Sequence, residues 1–143
     1  MGCDVRLAAE IEASPATVFE AITTQKGEAR FWTANNETEP TKGSVAIFRF
    51  PGAPVPARMR VDELEPSRRV AWSCLGDFPG WKGTTITWDL EDRDGKTHVM
   101  FRHLGFGDDY AEHDLASITW VWAMVLGRLK GYAETGTPQP FFP

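Results

Sequence analysis

Apolar and polar residues alternate along much of the chain, and a period of two is typical of strands with one buried face. The opening stretch, residues 5–13, places four apolar side chains on one side: Val5, Leu7, Ala9 and Ile11. From Asn35 onward the alternation returns in short stretches, at residues 44–50, 57–64, 70–74, 84–91 and 97–104. Turn signals separate these stretches, and the pair Asp94-Gly95 is typical of a tight hairpin. We therefore predict an antiparallel sheet that is covered on one face.

Two short helices are predicted after the first strand. Ser14 followed by Pro15 is a typical helix start, because the serine hydroxyl accepts a free backbone N–H and proline is tolerated at the first helical position. The first helix continues through Ile22, and Gly27 closes it. Residues 28–32 are predicted to form the second helix.

A long amphipathic helix follows the last strand and runs to about Glu134, with Gly136 as its stop signal. Its cap is either Asp109, with Glu112 three residues later, or Asp114 alone. The main apolar stripe has helical spacing and consists of Leu115, Ile118, Trp122, Val125, Leu126, Leu129 and Tyr132. We predict the order strand, two helices, six strands and a long helix; the stretches of alternation mark the first strand and five of the six later ones.

The long helix carries a second uncharged face opposite this stripe. It is formed by Trp120, Ala123, Met124, Gly127 and Gly131. A helix that is apolar on both sides must be covered on both sides. Two covers stay open: the tail at residues 137–143 folds back over Trp120, or a second copy of the chain forms a homodimer through Trp120, Met124 and Gly127.

The chain has 143 residues and fits a single domain, which we place at residues 1–143 with residues 137–143 as a C-terminal tail. Hydrophobic residues make up 42% of the chain and charged residues 24%, as in ordinary globular proteins. The aromatic content is less ordinary, with six Trp and nine Phe against two Tyr. Phe and Trp bring much apolar area and few hydrogen-bonding groups, which indicates a large apolar interior.

The charge and the chain ends narrow the class of protein. The net charge is −5 and the pI is near 5.2, so we expect no nucleic-acid partner and no binding to anionic membranes. The N-terminus has no apolar signal segment, and the longest uncharged apolar stretch, residues 115–127, is too short to span a bilayer. The two cysteines, Cys3 and Cys74, do not form a disulfide framework. These features indicate a cytoplasmic protein.

Several local stretches carry a resemblance to a known superfamily: SPATVFEAITT, RFW, VDELEPSRRVAWS, THVMFRHLGF and WAMVLGRLKGYAETG. Together they resemble the START-related, birch-pollen-allergen-like (SRPBCC) domains, and among these the homologues of the C-terminal domain of the heat-shock protein 90 ATPase activator. The resemblance covers nearly the whole chain. It implies an α+β helix-grip fold, in which a seven-stranded curved antiparallel sheet surrounds a long C-terminal helix and two short helices follow the first strand.

The inward positions of the strands and of the long helix define the candidate ligand site. A mostly apolar lining with few polar groups is typical of small-molecule pockets, but the same residues also suit a solid interdigitated core. The resemblance favours the cavity. We predict that a small hydrophobic molecule, lipid-like or aromatic, is bound by Phe19, Phe31, Trp32, Phe48, Phe50, Met59, Trp72, Trp88, Phe101, His103, Trp122 and Leu126.

His103 is the one ionisable side chain predicted to point inward. As a neutral imidazole it would orient a ligand or act as a general base; the competing interpretation is a core histidine bonded to a backbone carbonyl. We predict no catalytic residue, no metal and no cofactor, because the sequence has no nucleophile elbow, phosphate loop, dinucleotide fingerprint or metal-ligand spacing. Two alternatives implied by the resemblance stay open: a polyketide-cyclase-like or hydrolase-like enzyme that uses the same cavity, and a co-regulator of a chaperone ATPase.

Overall fold

The computed structural model describes residues 3–76 and 78–143, and within them the chain forms seven strands and three helices. In chain order these are β1 (Cys3–Ile11), α1 (Pro15–Thr23), α2 (Gln25–Phe31), β2 (Asn36–Glu37), β3 (Val45–Phe48), β4 (Ala57–Glu65), β5 (Arg69–Leu75), β6 (Thr85–Arg93), β7 (Lys96–Phe106) and α3 (Glu112–Thr135). The predicted order of elements is confirmed, and with it the α+β helix-grip fold.

All seven strands belong to one antiparallel sheet in the order β1-β7-β6-β5-β4-β3-β2. Each strand from β2 onward pairs with the next one in the chain, and β1 lies beside β7. The predicted alternation is confirmed in β4, where Ala57, Met59 and Val61 are buried while Arg58 and Arg60 are exposed. A register shift farther along β4 is typical of a β-bulge, which bends a strand and helps the sheet to curve.

Gly27 does not end the first helix as predicted. α1 ends at Thr23, and Thr24 is both the C-cap of α1 and the N-cap of α2, with its hydroxyl accepting the Gly27 N–H at 3.0 Å. Gly27 lies inside α2, where a Cβ atom would come within 2.3 Å of the Ala21 carbonyl oxygen. Glycine is needed here because the backbones of α1 and α2 touch, and not because a helix stops.

Neither Asp109 nor Asp114 caps α3. The N-cap is Ala111 in an extended conformation, and it makes no side-chain capping hydrogen bond. Glu112 and Asp114 lie in the first turn, where negative charge interacts favourably with the helix dipole. The predicted stop at Gly136 is confirmed by its positive φ of 77°. Among the described residues no helix, α3 included, is long and apolar enough to cross a membrane.

The C-terminal tail does not cover Trp120. Residues 137–143 run along the end of α2 instead, where Phe142 pairs with Thr33 as an isolated parallel bridge. The Trp120 side chain remains 66% exposed. The interpretation in which the tail shields the second face of α3 is therefore wrong, because the tail finds its backbone hydrogen-bond partners at α2.

A buried chain of hydrogen bonds joins α3 to the sheet. The Trp122 indole N–H donates to His103 Nδ1 at 3.1 Å, which leaves the ring proton on Nε2. His103 Nε2 lies 2.8 Å from the Thr84 hydroxyl oxygen, and that hydroxyl donates to the Trp81 carbonyl at 2.6 Å. Both ring nitrogens are thus paired, with an indole and a hydroxyl in place of the carbonyl that the core interpretation expected.

His103 makes the stability of the fold sensitive to acid. Burial lowers its pKa from the ordinary 6.5 to about 3, so the imidazole is neutral in the folded chain. The unfolded chain binds a proton at this residue below pH 6.5 while the folded chain does not. The stability that the neutral imidazole contributes is therefore present above pH 6.5 and is lost as the pH falls toward 3.

Glu28, on α2, acts in the opposite direction. The residue is fully buried, and neither carboxyl oxygen has a hydrogen-bond partner among the described residues. Burial raises the pKa of Glu28 well above its ordinary value of 4.5, so the folded chain keeps the carboxyl protonated to a higher pH than the unfolded chain does. Its contribution to stability is present below pH 4.5 and is lost as the pH rises through the raised pKa.

Replacing His103 with glutamine should remove the acid-sensitive contribution. Between pH 6 and pH 4, the free energy of unfolding of the wild type should fall by about 1.4 kcal/mol per pH unit relative to that of the variant, as measured by urea titration. The matched control is His98→Gln, on the same strand but half-exposed on its other face. Parallel pH profiles for wild type and His103→Gln would contradict the assignment.

Replacing Glu28 with glutamine should stabilise the chain increasingly as the pH rises above 4.5. The expected gain is about 1.4 kcal/mol per pH unit until the folded pKa is reached, because only the wild type must keep a carboxyl protonated or bury its charge. Urea titrations at pH 5 and pH 8 measure the difference. Glu20→Gln, at an exposed position of α1, is the control. A gain that is equal at both pH values would exclude the buried carboxyl as its source.

Candidate ligand site

Trp122 of α3 lies at the centre of an aromatic core that fills most of the space between the helix and the sheet. Its ring centroid is 4.9 Å from that of Trp32 and 4.6 Å from that of Phe101. Trp88 is 4.8 Å from Phe101 and 6.0 Å from Trp72. Rings at these distances and tilts are in direct contact, so this part of the interior is solid.

A cavity of about 170 Å³ remains beside Trp122, against the N-terminal half of α3. Its lining is almost wholly apolar and consists of six aromatic and two aliphatic residues: Trp32, Phe50, Phe78, Trp81, Ile118, Val121, Trp122 and Phe142. The volume is comparable with that of cavities of roughly 150 Å³ that bind benzene. The cavity therefore suits one small ring system or a short alkyl chain.

A larger cleft of about 560 Å³ adjoins the cavity, and we refer to this cleft as the mouth. The two share four lining residues: Phe78, Trp81, Ile118 and Val121. The mouth adds polar groups from the loop before α3 and from its first turns, namely Asp109, Tyr110, Asp114 and Ser117. No Lys, Arg or His is among the described residues that line it. The charged side chains among its described lining residues are thus both acidic, Asp109 and Asp114.

Tyr110 is the most closely packed of these polar residues. Its ring stacks on Phe106 with centroids 4.6 Å apart, and a Cβ atom at Gly80 would come within 2.2 Å of it. Burial raises the pKa of Tyr110 and the charge of Asp114 raises it further, so the phenol keeps its proton. A phenol that keeps its proton can donate a hydrogen bond to Asp114 or to a bound molecule.

Three of the twelve predicted ligand-binding residues line the cavity: Trp32, Phe50 and Trp122. His103 lies directly behind it, with its ring centroid 4.8 Å from that of Trp81. The other eight pack in the core or at its edge and do not line this cavity; they are Phe19, Phe31, Phe48, Met59, Trp72, Trp88, Phe101 and Leu126. The inward set is thus one continuous cluster with the cavity at one end.

Five lining residues are absent from the predicted set: Phe78, Trp81, Ile118, Val121 and Phe142. Phe78 and Trp81 lie in the loop between β5 and β6, and Phe142 lies in the tail. Neither segment has a periodic pattern that assigns its side chains to a face. Ile118 belongs to the predicted apolar stripe of α3, and that stripe is the signal by which it could have been included.

Cys74 is buried, as predicted, and burial raises the pKa of its thiol to about 11. A thiol that stays protonated is a poor nucleophile. Among the described residues no group of three or more His, Cys, Asp or Glu side chains is arranged to hold a metal ion. What the described groups offer is apolar contact inside the cavity and hydrogen bonding at its mouth.

Comparison with known proteins gives the same architecture. A family model described as "Activator of Hsp90 ATPase homolog 1-like protein" matches residues 12–134. The solution structure of the Aha1 dimer from Colwellia psychrerythraea is similar, with a TM-score of 0.83 and 30% sequence identity. That match covers 94% of this chain and 98% of the other.

Two further solved structures are similar over most of this chain. DynU16, a putative protein in the dynemicin biosynthetic locus, is 26% identical with a TM-score of 0.76, and the match covers 94% of this chain but 48% of that one. SSP2350 from Staphylococcus saprophyticus is 20% identical with a TM-score of 0.78 over 96% of each chain, which shows the fold alone. No curated protein matches the sequence. Since the family model covers most of the chain and a solved relative is 30% identical over nearly its whole length, this chain belongs to the Activator of Hsp90 ATPase homolog 1-like family of the SRPBCC superfamily.

Proposed function

We propose that the chain binds a small hydrophobic molecule, aromatic or lipid-like, in the cavity beside Trp122. The observation that carries this proposal is the combination of an almost wholly apolar chamber of about 170 Å³ with a polar mouth that adjoins it. Concave, mostly apolar sites with a few polar groups at one end are typical of small-molecule binding. A solid core of the same composition would leave no such space.

The walls of the cavity support binding because they are held in place before any ligand arrives. Trp122 is fixed through its hydrogen bond to His103, and the Trp81 carbonyl accepts the Thr84 hydroxyl. The Trp81 and Trp122 rings are nearly parallel, with centroids 5.9 Å apart. A preformed site loses less conformational freedom when it binds than one that must first be ordered.

The mouth favours a ligand without negative charge. Asp109 and Asp114 both line it and are exposed, and the described lining supplies no cationic side chain to offset them. A carboxylate on the ligand would meet like charge at this point, whereas a hydroxyl or an amine would find acceptors. Among hydrophobic molecules we therefore expect neutral or cationic compounds to bind better than fatty-acid-like anions.

Binding can be tested with a neutral and an anionic probe of the same shape. We expect isothermal titration calorimetry at pH 7 to show that 2-naphthol binds roughly tenfold more tightly than 2-naphthoate, with a difference that shrinks at high salt. Val121→Phe, which fills the cavity, should abolish binding of both. Ala16→Phe, at an exposed position of α1, should leave it unchanged. Failure of the wild type to bind either probe would count against the proposal.

We also propose that the chain forms a homodimer through Trp120, Met124 and Gly127 of α3. Trp120 is 66% exposed, and Ala123 and Gly127 on the same face are exposed as well. The similar structure from Colwellia psychrerythraea is described as a dimer, and this relationship makes a second copy of the chain the favoured partner for the face. An aromatic side chain on an apolar helix face is a typical anchor of an interface.

The two glycines of this face support close approach of a partner. A Cβ atom at Gly127 or Gly131 would have no described atom within 4 Å outside the helix's own backbone, so packing within the chain does not require glycine at either position. Glycine in a helix interior costs about 1 kcal/mol relative to alanine. A partner helix that lies against the backbone at these positions would account for retaining both.

Gly127→Arg tests whether this face of α3 is a dimer interface or an exposed surface that contacts no partner. We expect sedimentation equilibrium to show a dimer for the wild type and a monomer for the variant, with the helix content by circular dichroism retained because arginine is the better helix former. Ala16→Arg adds the same charge to an exposed position of α1 and should remain dimeric. A wild type that is monomeric, or a variant that stays dimeric, would refute this interface.

A further inference from the structure

The C-terminal tail is attached to the end of α2 by its backbone. The N–H groups of Gln139 and Phe142 donate to the carbonyls of Arg30 and Trp32, at 2.8 and 2.7 Å respectively. A third bond, of 3.2 Å, joins the Phe141 N–H to the carbonyl of Phe31, the last residue of α2. The last carbonyls of a helix have no partner within the helix, so the tail supplies the donors that α2 lacks.

Backbone hydrogen bonds fix the position of Phe142 through both its N–H and its carbonyl. Besides donating to Trp32, it accepts the Ala34 N–H at its carbonyl, at 2.9 Å. The Arg128 guanidinium of α3 holds the preceding segment through the carbonyl of Gln139 at 3.1 Å. None of these bonds uses the phenyl ring. A substitution of the Phe142 side chain should therefore leave the path of the tail unchanged.

The two adjacent phenylalanines of the tail face different surroundings. Phe142 lines the cavity and lies 5.2 Å from Phe50, centroid to centroid. Phe141 is absent from the cavity lining: its ring meets the outer side of Phe142 edge-on, with centroids 4.9 Å apart, and faces the Arg128 guanidinium at 5.9 Å. Both rings are half-buried, so the chain offers a matched pair of positions in one segment, of which one lines the cavity.

We propose that Phe142 is a specificity-determining residue that limits the length of the apolar group accepted by the cavity. The inference depends on the proposed ligand-binding function. The other described walls belong to α3, to the residue that closes α2, and to the segments before β4 and β6, and they hold one another through ring contacts. Phe142 is the wall contributed by the tail, and its ring can be made smaller or larger without altering the backbone bonds that hold it.

A homologous series of 4-alkylphenols measures this limit directly. Each further methylene that is buried should tighten binding roughly fourfold, until the alkyl chain no longer fits and the gain stops. We expect calorimetry to show that Phe142→Ala moves this limit to alkyl chains longer by about two carbons, because the space of the ring becomes available. Phe142→Trp should move the limit to shorter chains.

Phe141→Ala is the matched control. It removes the same ring from the neighbouring residue and should leave the length limit where the wild type has it. Equal shifts in Phe141→Ala and Phe142→Ala would show that the tail acts through general loosening, and would overturn the assignment to Phe142. No shift in either direction for Phe142→Ala and Phe142→Trp would overturn it as well.

The experiment also separates this inference from the function on which it rests. If the wild type and all variants fail to bind every alkylphenol, the proposed ligand site is wrong and the role of Phe142 falls with it. If the wild type binds with a clear length limit that is the same in both Phe142 variants, the site stands and only the role of Phe142 is refuted. The Phe142→Trp variant keeps the test informative if the alanine variant is poorly folded, since it retains an aromatic ring at the position.

Discussion

The buried contact between Trp122 and His103 is the constraint on which the rest of the interior depends. It is a polar bond in an aromatic core, and an unpaired donor or acceptor at that depth would be costly. The contact therefore fixes both the rotation of α3 and its distance from β7. Trp81 and Thr84 continue the same chain of bonds, so the segment before β6 is held by it too. The wall of the cavity is a consequence of how the helix is held on the sheet.

Two buried ionisable groups limit the pH range in which this arrangement is stable. His103 is neutral because burial lowers its pKa, and its contribution is lost toward acid. Glu28 keeps its proton to a higher pH because burial raises its pKa, and its contribution is lost toward base. The His103 contribution falls as the pH drops below 6.5, whereas the Glu28 contribution falls as the pH rises above 4.5. Both groups therefore stabilise the fold most when they are uncharged. The pH at which the chain is most stable depends on both of them.

Helices and strands were predictable from the sequence where apolar residues recur at a regular spacing, because that spacing assigns the side chains to one face. Alternation identified the buried positions of the strands, and Ser14 was identified correctly as the cap of α1, where it accepts the Thr17 N–H. Gly27 was misread because the close approach of two helix backbones has no local signature. The cavity was only partly predictable for a related reason. Trp81 and Phe142 reach it from a loop and from the tail, where orientation is set by tertiary contacts and hydrogen bonds alone.

This difference between regular elements and irregular segments explains why a shared fold does not determine which ligand is bound. Where strands and α3 face each other, rings such as Trp72, Trp88 and Phe101 fill the space and stabilise the fold. The cavity lies where this regular packing ends and irregular segments complete the enclosure. A substitution in the core changes stability first, because it leaves a void or an unpaired group. A substitution at a loop or tail position changes the shape of the cavity while the helix remains held by the sheet. Members of one fold family can thus differ in what they bind through a few residues outside the regular elements.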